Sequence, residues 1–203
     1  MNVIYRGGYN KNDEGSTKNS FFYEYADIVR TLTAKGIQVA CVTLAKDDGH
    51  YDARIKENFG NIDTINHQTT VVNWSKYRLI FLCGGTTLRL RDGLLKLGFN
   101  IDTLGKSVVV LGDSAGAYLM SAYFFDTSDR ENLQFFEGAH PQSNVITIAH
   151  VNNSHYSNEK LIKSVKDFAK EKHLRVLSLN ENEEKLLNNN GVFVDFKVQG
   201  LFS

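Results

Sequence analysis

Val108-Val109-Val110-Leu111-Gly112-Asp113-Ser114-Ala115-Gly116-Ala117 decides how this chain is read. Four β-formers run into a Gly-x-Ser-x-Gly pentapeptide, and Ala117-Tyr118-Leu119-Met120-Ser121-Ala122 continues as helix. A serine on so tight a strand-to-helix turn is held strained and exposed, and the flanking glycines remove the Cβ clashes of the turn. The turn also offers backbone N–H groups of the new helix to negative charge developing beside the serine. The pentapeptide alone also fits a plain Gly-Ser helix cap. With a strand before it and a helix after it, it points to an activated nucleophile at Ser114.

Working outward, strands and helices alternate. Asn2–Tyr5 reads as a strand, followed by a polar loop over Gly7–Asn19. Phe21–Ala34 has apolar residues at helical spacing, with Gly36 as a stop. Ile37–Leu44 and Arg78–Cys83 are near-continuous apolar strands, as in a parallel sheet covered on both faces. Ala53–Phe59 reads as a short helix, Thr69–Val72 as a short strand, and Thr87–Leu97 as a helix. A helix from the serine turn to about Phe124 is followed by polar Asp126–Gln134. A strand over Val145–Val151 and a helix over Asn158–Glu171 come next. Arg175–Leu179, Lys185–Leu187 and Val192–Val198 read as closing strands, with a turn at Asn188–Gly191. The pattern predicts one α/β domain over residues 1–203: a three-layer, doubly wound, mostly parallel sheet with an antiparallel ribbon at the C-terminal edge.

Composition narrows the function classes. Lysine plus arginine equals aspartate plus glutamate at 23 each, so no global basic field invites nucleic acid. No apolar stretch approaches the roughly 18 residues of a membrane span. Met1–Arg6 enters a strand without the charged and apolar regions of a signal peptide. Cys41 and Cys83 lie in apolar runs without metal-ligand spacing and read as buried thiols. These features predict a soluble, cytoplasmic protein, monomeric or homodimeric, with no membrane or nucleic-acid partner. No metal site or nucleotide fingerprint emerges, so no cofactor is expected.

A second turn supports the nucleophile. Cys83-Gly84-Gly85-Thr86-Thr87 also joins a strand to a helix, one unit before Ser114. Neighbouring parallel strands deliver their C-terminal ends to one edge, where open α/β sheets bind ligands. The N–H groups of Gly85 and Ala115 would there form an oxyanion hole. Of the six histidines, His50, His67 and His173 sit in polar, solvated surroundings, and His140 carries no further signal. His150 reads as a packed residue inside a strand. His155 follows that strand on a polar loop and is the expected base. The acid that fixes the imidazole is open between Asp126, Asp129 and Glu131 on one side and Glu181, Glu183 and Glu184 on the other.

These residues together resemble the peptidase E (aspartyl dipeptidase) and cyanophycinase family of serine peptidases. Cys83-Gly84-Gly85-Thr86-Thr87 is similar to its Gly-Gly-Asn-Thr segment, and Ser114-Ala115-Gly116-Ala117 to its nucleophile motif. Ser154-His155-Tyr156-Ser157-Asn158-Glu159 resembles its Pro-His-Tyr-Asp-Glu loop. The resemblance implies a fold like class I glutamine amidotransferases and hydrolysis of short peptides, with Asp-Xaa dipeptides as the narrow family activity. It also implies the chain order serine, histidine, acid, which favours Glu181 with Glu183 close behind. An α/β-hydrolase esterase would instead take its acid from Asp126 or Asp129, and an inactive relative would only bind a small molecule. Thr86 replaces the usual asparagine, Ser154 replaces a common proline, and Asp113 sets a carboxylate beside the nucleophile. A carboxylate facing the site would disfavour anionic substrates, so substrate preference stays open.

Overall fold

Alternate residues of each central strand enter two different cores, the signature of a sheet buried on both faces. In the computed structural model, which describes residues 1–9, 20–126, 132–188 and 190–194, Val3 and Tyr5 of β1 (Asn2–Arg6) face one core and Ile4 the other. The same alternation holds in β2 (Gln38–Val42), β4 (Tyr77–Leu82) and β5 (Val109–Asp113). The short β3 (Asp63–Ile65) closes one edge beside β2. All five of these strands run parallel, in the order β1-β5-β4-β2-β3.

Helices cover both faces. On one side lie α1 (Phe21–Glu24), α2 (Ala26–Ala34) and α3 (Asp52–Asn58), whose Phe21, Phe22, Val29 and Ile55 pack on Phe81, Leu79 and Cys41. Phe81 stacks against both Phe21 and Phe59, at 5.4 and 4.9 Å between ring centroids. Each such buried side chain contributes roughly 1.5–3 kcal/mol. On the other side lie α4 (Thr87–Lys96), α5 (Ala115–Leu119) and α6 (Glu159–Glu171). The side chain of Asn158 caps α6 by accepting the Leu161 N–H at 2.8 Å.

Four sequence expectations need correction. The helix expected over Phe21–Ala34 breaks at Tyr25, which turns its hydroxyl to Glu184 at 2.9 Å. No strand forms at Thr69–Val72; the edge position goes to Asp63–Ile65. The helix after Ser114 stops at Leu119, where the Met120 carbonyl accepts the Tyr5 hydroxyl at 2.8 Å. The aromatic β-formers that follow become β6 (Tyr123–Phe125) instead. That strand joins β7 (Phe135–Glu137), β8 (Val145–Ile148) and β9 (Arg175–Ser178) in a second sheet, so two expected strands of the main sheet lie outside it. The expected ribbon is formed by β10 (Glu184–Leu187) and β11 (Phe193–Val194), antiparallel beside β1. The reading of Val192–Val198 beyond residue 194, and of most of Gly7–Asn19, falls outside the described residues. Among the described residues, no helix is long and apolar enough to cross a membrane.

Candidate active site

The C-terminal ends of β1, β5, β4 and β2 converge on one cleft, with the loops after β8 and β9 joining from the second sheet. Gly8, Tyr9, Lys46, His50, Tyr51, Gly84, Gly85, Asp113, Ser114, His150 and Tyr156 line it. Ser114 adopts φ 52, ψ −102, a backbone region that L-residues avoid. Close packing within the turn imposes this conformation. A Cβ on Gly112 would meet the Gly116 carbonyl carbon at 2.4 Å, and one on Gly116 would meet the Leu82 carbonyl oxygen at 2.3 Å. Both positions therefore need glycine, as the motif suggests.

Ser114 Oγ lies 3.0 Å from His150 Nε2, and His150 Nδ1 lies 2.9 Å from Glu181 Oε1. With Nδ1–H donating to the Glu181 carboxylate, Nε2 faces the serine hydroxyl as an acceptor. Glu181 Oε1 also accepts from Asn153 Nδ2 at 2.9 Å, and the Glu181 backbone N–H donates to Asn152 Oδ1 at 2.8 Å. The side chains of His150 and Glu181 are 9% and 5% exposed, so their pairing is shielded from water. Tyr156 stacks on the imidazole at 4.4 Å.

Of the residues expected from sequence, the structure brings together Ser114, Glu181 and Gly85. It does not bring His155. β8 ends at Ile148, and the chain turns at His150, whose φ of 55 swings the imidazole over the end of β5. His155 lies five residues further on, exposed, with its N–H donating to Asn153 Oδ1 at 3.0 Å and its ring edge-on to Tyr156. The imidazole between Ser114 and Glu181 is therefore that of His150, which the sequence reading had set aside as a packed strand residue. A signal was available: a histidine ends the apolar run Val145–Ala149 just before the turn-forming pair Asn152-Asn153.

Other candidate acids are engaged elsewhere. Glu183 accepts the Asn180 N–H at 3.0 Å, and Glu184 pairs with Arg6 and Tyr25. The Asp126 N–H donates to the Gln134 carbonyl, away from the cleft, while Asp129 and Glu131 lie outside the described residues. Ala115 is buried at the first position of α5, directly after Ser114. Gly85 adopts φ 141, and a Cβ there would meet the Ala45 carbonyl oxygen at 2.4 Å.

Beneath Ser114 lies a group of buried charges. Arg6 is wholly buried and faces Glu24 at 2.7 Å, Glu184 at 3.0 Å and Asp113 at 3.4 Å. Burial works against the Arg6 charge, but Asp113, Glu184 and Glu24 together outweigh it and hold the guanidinium above its ordinary value. One guanidinium cannot neutralise three carboxylates. Burial pushes the Asp113 carboxyl up to about 7, against the pull of Arg6 and the Gly8 N–H, and Glu184 and Glu24 add repulsion. Behind the Gly84 turn, Cys41 and Cys83 lie buried with their sulfurs 3.4 Å apart, and burial pushes the Cys83 thiol up.

No protein-family model matches this chain, and no curated protein matches it. Among solved structures, it is similar to a peptidase from an acI-B1 Actinobacterium. The two share 16% identity over 92% of this chain and 83% of the other, with a TM-score of 0.51, a likeness of fold.

Proposed function

We propose that this chain is a serine-type peptidase that hydrolyses short peptides through an acyl-enzyme on Ser114. The observation that carries the reading is the line Ser114 Oγ, His150, Glu181, with contacts of 3.0 and 2.9 Å. Ser114 attacks the scissile carbonyl while His150 Nε2 takes its proton. Glu181 holds the tautomer and stabilises the imidazolium. The N–H groups of Gly85 and Ala115 donate to the oxyanion, worth roughly 3–4 kcal/mol per well-placed donor. His150 then protonates the departing amine, and water repeats the sequence on the ester. The order serine, histidine, glutamate supports the peptidase E-like arrangement over an α/β-hydrolase esterase, and a peptidase of similar fold agrees with it.

The cleft also suits an anionic substrate. Asp113 lines it but is 2% exposed and faces Arg6, so its charge is turned inward. Lys46 and His50 stand at the opening, and Lys46 has no carboxylate partner among the described residues. Lys46 therefore receives a substrate carboxylate, either an aspartyl side chain or the free C-terminus of a dipeptide.

A dipeptide panel with Asp-Xaa members, run with a fluorophosphonate probe, tests both parts. Wild type is expected to be labelled at Ser114 and to turn over, with Ser114→Ala silent in both assays. Lys46→Met is expected to raise KM about tenfold for peptides with a free carboxylate and to leave amidated neutral peptides unaffected. A folded wild type that resists the probe would mark the chain as a non-catalytic binder.

A further inference from the structure

Tyr51 lines the cleft but has no place in the line Ser114, His150, Glu181. Its buried hydroxyl donates to the Gly84 carbonyl at 2.9 Å. The turn carrying that carbonyl is anchored on both sides by β2 and the loop after it. The Cys83 N–H donates to the Val42 carbonyl at 3.0 Å, and the Thr86 N–H to the Ala45 carbonyl at 2.9 Å. Gly84 abuts the serine, since a Cβ on it would lie 3.3 Å from Ser114 Cβ. The Gly84–Gly85 peptide is trans, so its carbonyl and its N–H point to opposite sides. With the carbonyl turned to Tyr51, the Gly85 N–H is turned away from it. Gly85 is exposed along the cleft, and its N–H has no hydrogen-bond partner among the described residues.

We propose that Tyr51 is a positioning residue for the oxyanion hole: by holding the Gly84 carbonyl, its hydroxyl sets the Gly84–Gly85 peptide so that the Gly85 N–H faces the carbonyl oxygen of the substrate that Ser114 attacks. This rests on the reading of Ser114, His150 and Glu181 as the catalytic line. A donor fixed in advance costs no reorganisation as negative charge develops. A hydrogen bond accepted by the carbonyl also polarises the same amide and makes its N–H the stronger donor. The phenol stays protonated for this role. Burial and the nearby Cys83, Asp113 and Tyr9 push its ionisation up, against the pull of Arg54. The ring is fixed independently of the hydroxyl: Tyr51 caps the start of α3, packs on Phe22 at 5.5 Å and meets His50 edge-on at 4.6 Å. Packing thus places the oxygen before any substrate arrives.

Tyr51→Phe tests this, because it removes one oxygen and keeps the ring. On the best peptide its kcat is expected to fall about 10-fold with KM within twofold and Tm within a few degrees. That is short of the roughly 10²–10³ for deleting a donor outright, since the Gly85 N–H remains. A peptide boronate, whose adduct on Ser114 sets an oxygen where the oxyanion would stand, is expected to bind the variant about 10-fold more weakly. The cleaved product peptide should bind it as tightly as wild type. A tyrosine that only supports the fold would weaken both alike, and that result, or an unchanged kcat, would overturn the proposal. Should Tyr51→Phe not fold, 3-fluorotyrosine at position 51 puts a more acidic donor on the same ring. It is expected to move the ¹⁵N resonance of Gly85, which shares its amide with the Gly84 carbonyl, and an unmoved resonance sinks the idea. A wild type that hydrolyses nothing and takes no fluorophosphonate overturns the peptidase reading, and the oxyanion role with it. A wild type that turns over while Tyr51→Phe keeps its kcat overturns the role of Tyr51 alone.

Discussion

Ser114 and His150 share a left-handed backbone, at φ 52 and φ 55, yet different kinds of structure hold them there. The serine is held by its own turn: Gly112 packs on Gly116, and Gly116 on the end of neighbouring β4. The histidine is held by distant pieces of chain. Gly7 accepts its N–H, Gly8 lies against its ring, Glu181 fixes Nδ1 and Tyr156 stacks on its face. Strain of this kind costs of order 1–3 kcal/mol per residue and persists only where the surroundings over-determine it. Ser114 draws that support from local sequence, and His150 draws it from tertiary structure.

The sharpest way to break the contrast is to remove the two neighbouring histidines in turn. His150→Ala is expected to lower kcat by about 10⁴-fold, the scale for loss of a triad member. His155→Ala, on an exposed ring outside the cleft, should leave kcat within twofold. Steady-state kinetics on the best peptide decide it, and the opposite ranking would return the base to His155.

The two supports should also fail differently. At Gly112, an added Cβ meets backbone at 2.4 Å, and backbone cannot swing aside. Gly112→Ala is expected to destabilise the fold by about 1–3 kcal/mol or more, visible in thermal unfolding. At Gly8 the obstacle is the His150 imidazole, a side chain that can rotate away. An alanine at φ +85 is also strained, by about 1–2 kcal/mol, so Gly8→Ala should lose some Tm, less than Gly112→Ala, and about 100-fold in kcat. Equal losses of stability in both variants would mean that the Gly8 segment supports the fold rather than the base.

The same distinction explains what the sequence made legible. The strand run Val109–Asp113, the glycines of the elbow and the alternating apolar strands are local patterns, and each leads to the element observed. His150 was not legible as the histidine that meets Ser114 because that contact depends on β8 ending at Ile148 and on contacts with Gly7 and Glu181. A strand period extended through Val151 hides that turn. The second sheet was missed for a related reason: Tyr123–Phe125 continues an apolar helical run until Tyr5 and Thr147 compete for its neighbours. Glu181 was reachable only through the family order, because nothing in Asn180–Lys185 separates it from a solvated charge run.

Asp113 belongs to the elbow by sequence and to the buried charges around Arg6 by contact. Its burial has a thermodynamic signature smaller than the kinetic effects above. The folded carboxyl stands at about 7 against an ordinary 3.8, so folding binds a proton between those values. That raised value stabilises the fold fully below about pH 4, and the contribution is lost as pH rises through about 7. Asp113→Asn removes this dependence. Measured against wild type, the variant is expected to gain in relative Tm by a few degrees from pH 4 to 7 and to level off above it. Glu24, also raised by burial, titrates in both proteins and cancels in the difference. A variant that instead loses ground as pH rises would mean that Arg6 outweighs burial, leaving Asp113 ionised throughout. The ionised form is the costly one for the fold, because burial of the carboxylate outweighs the attraction of the single guanidinium of Arg6.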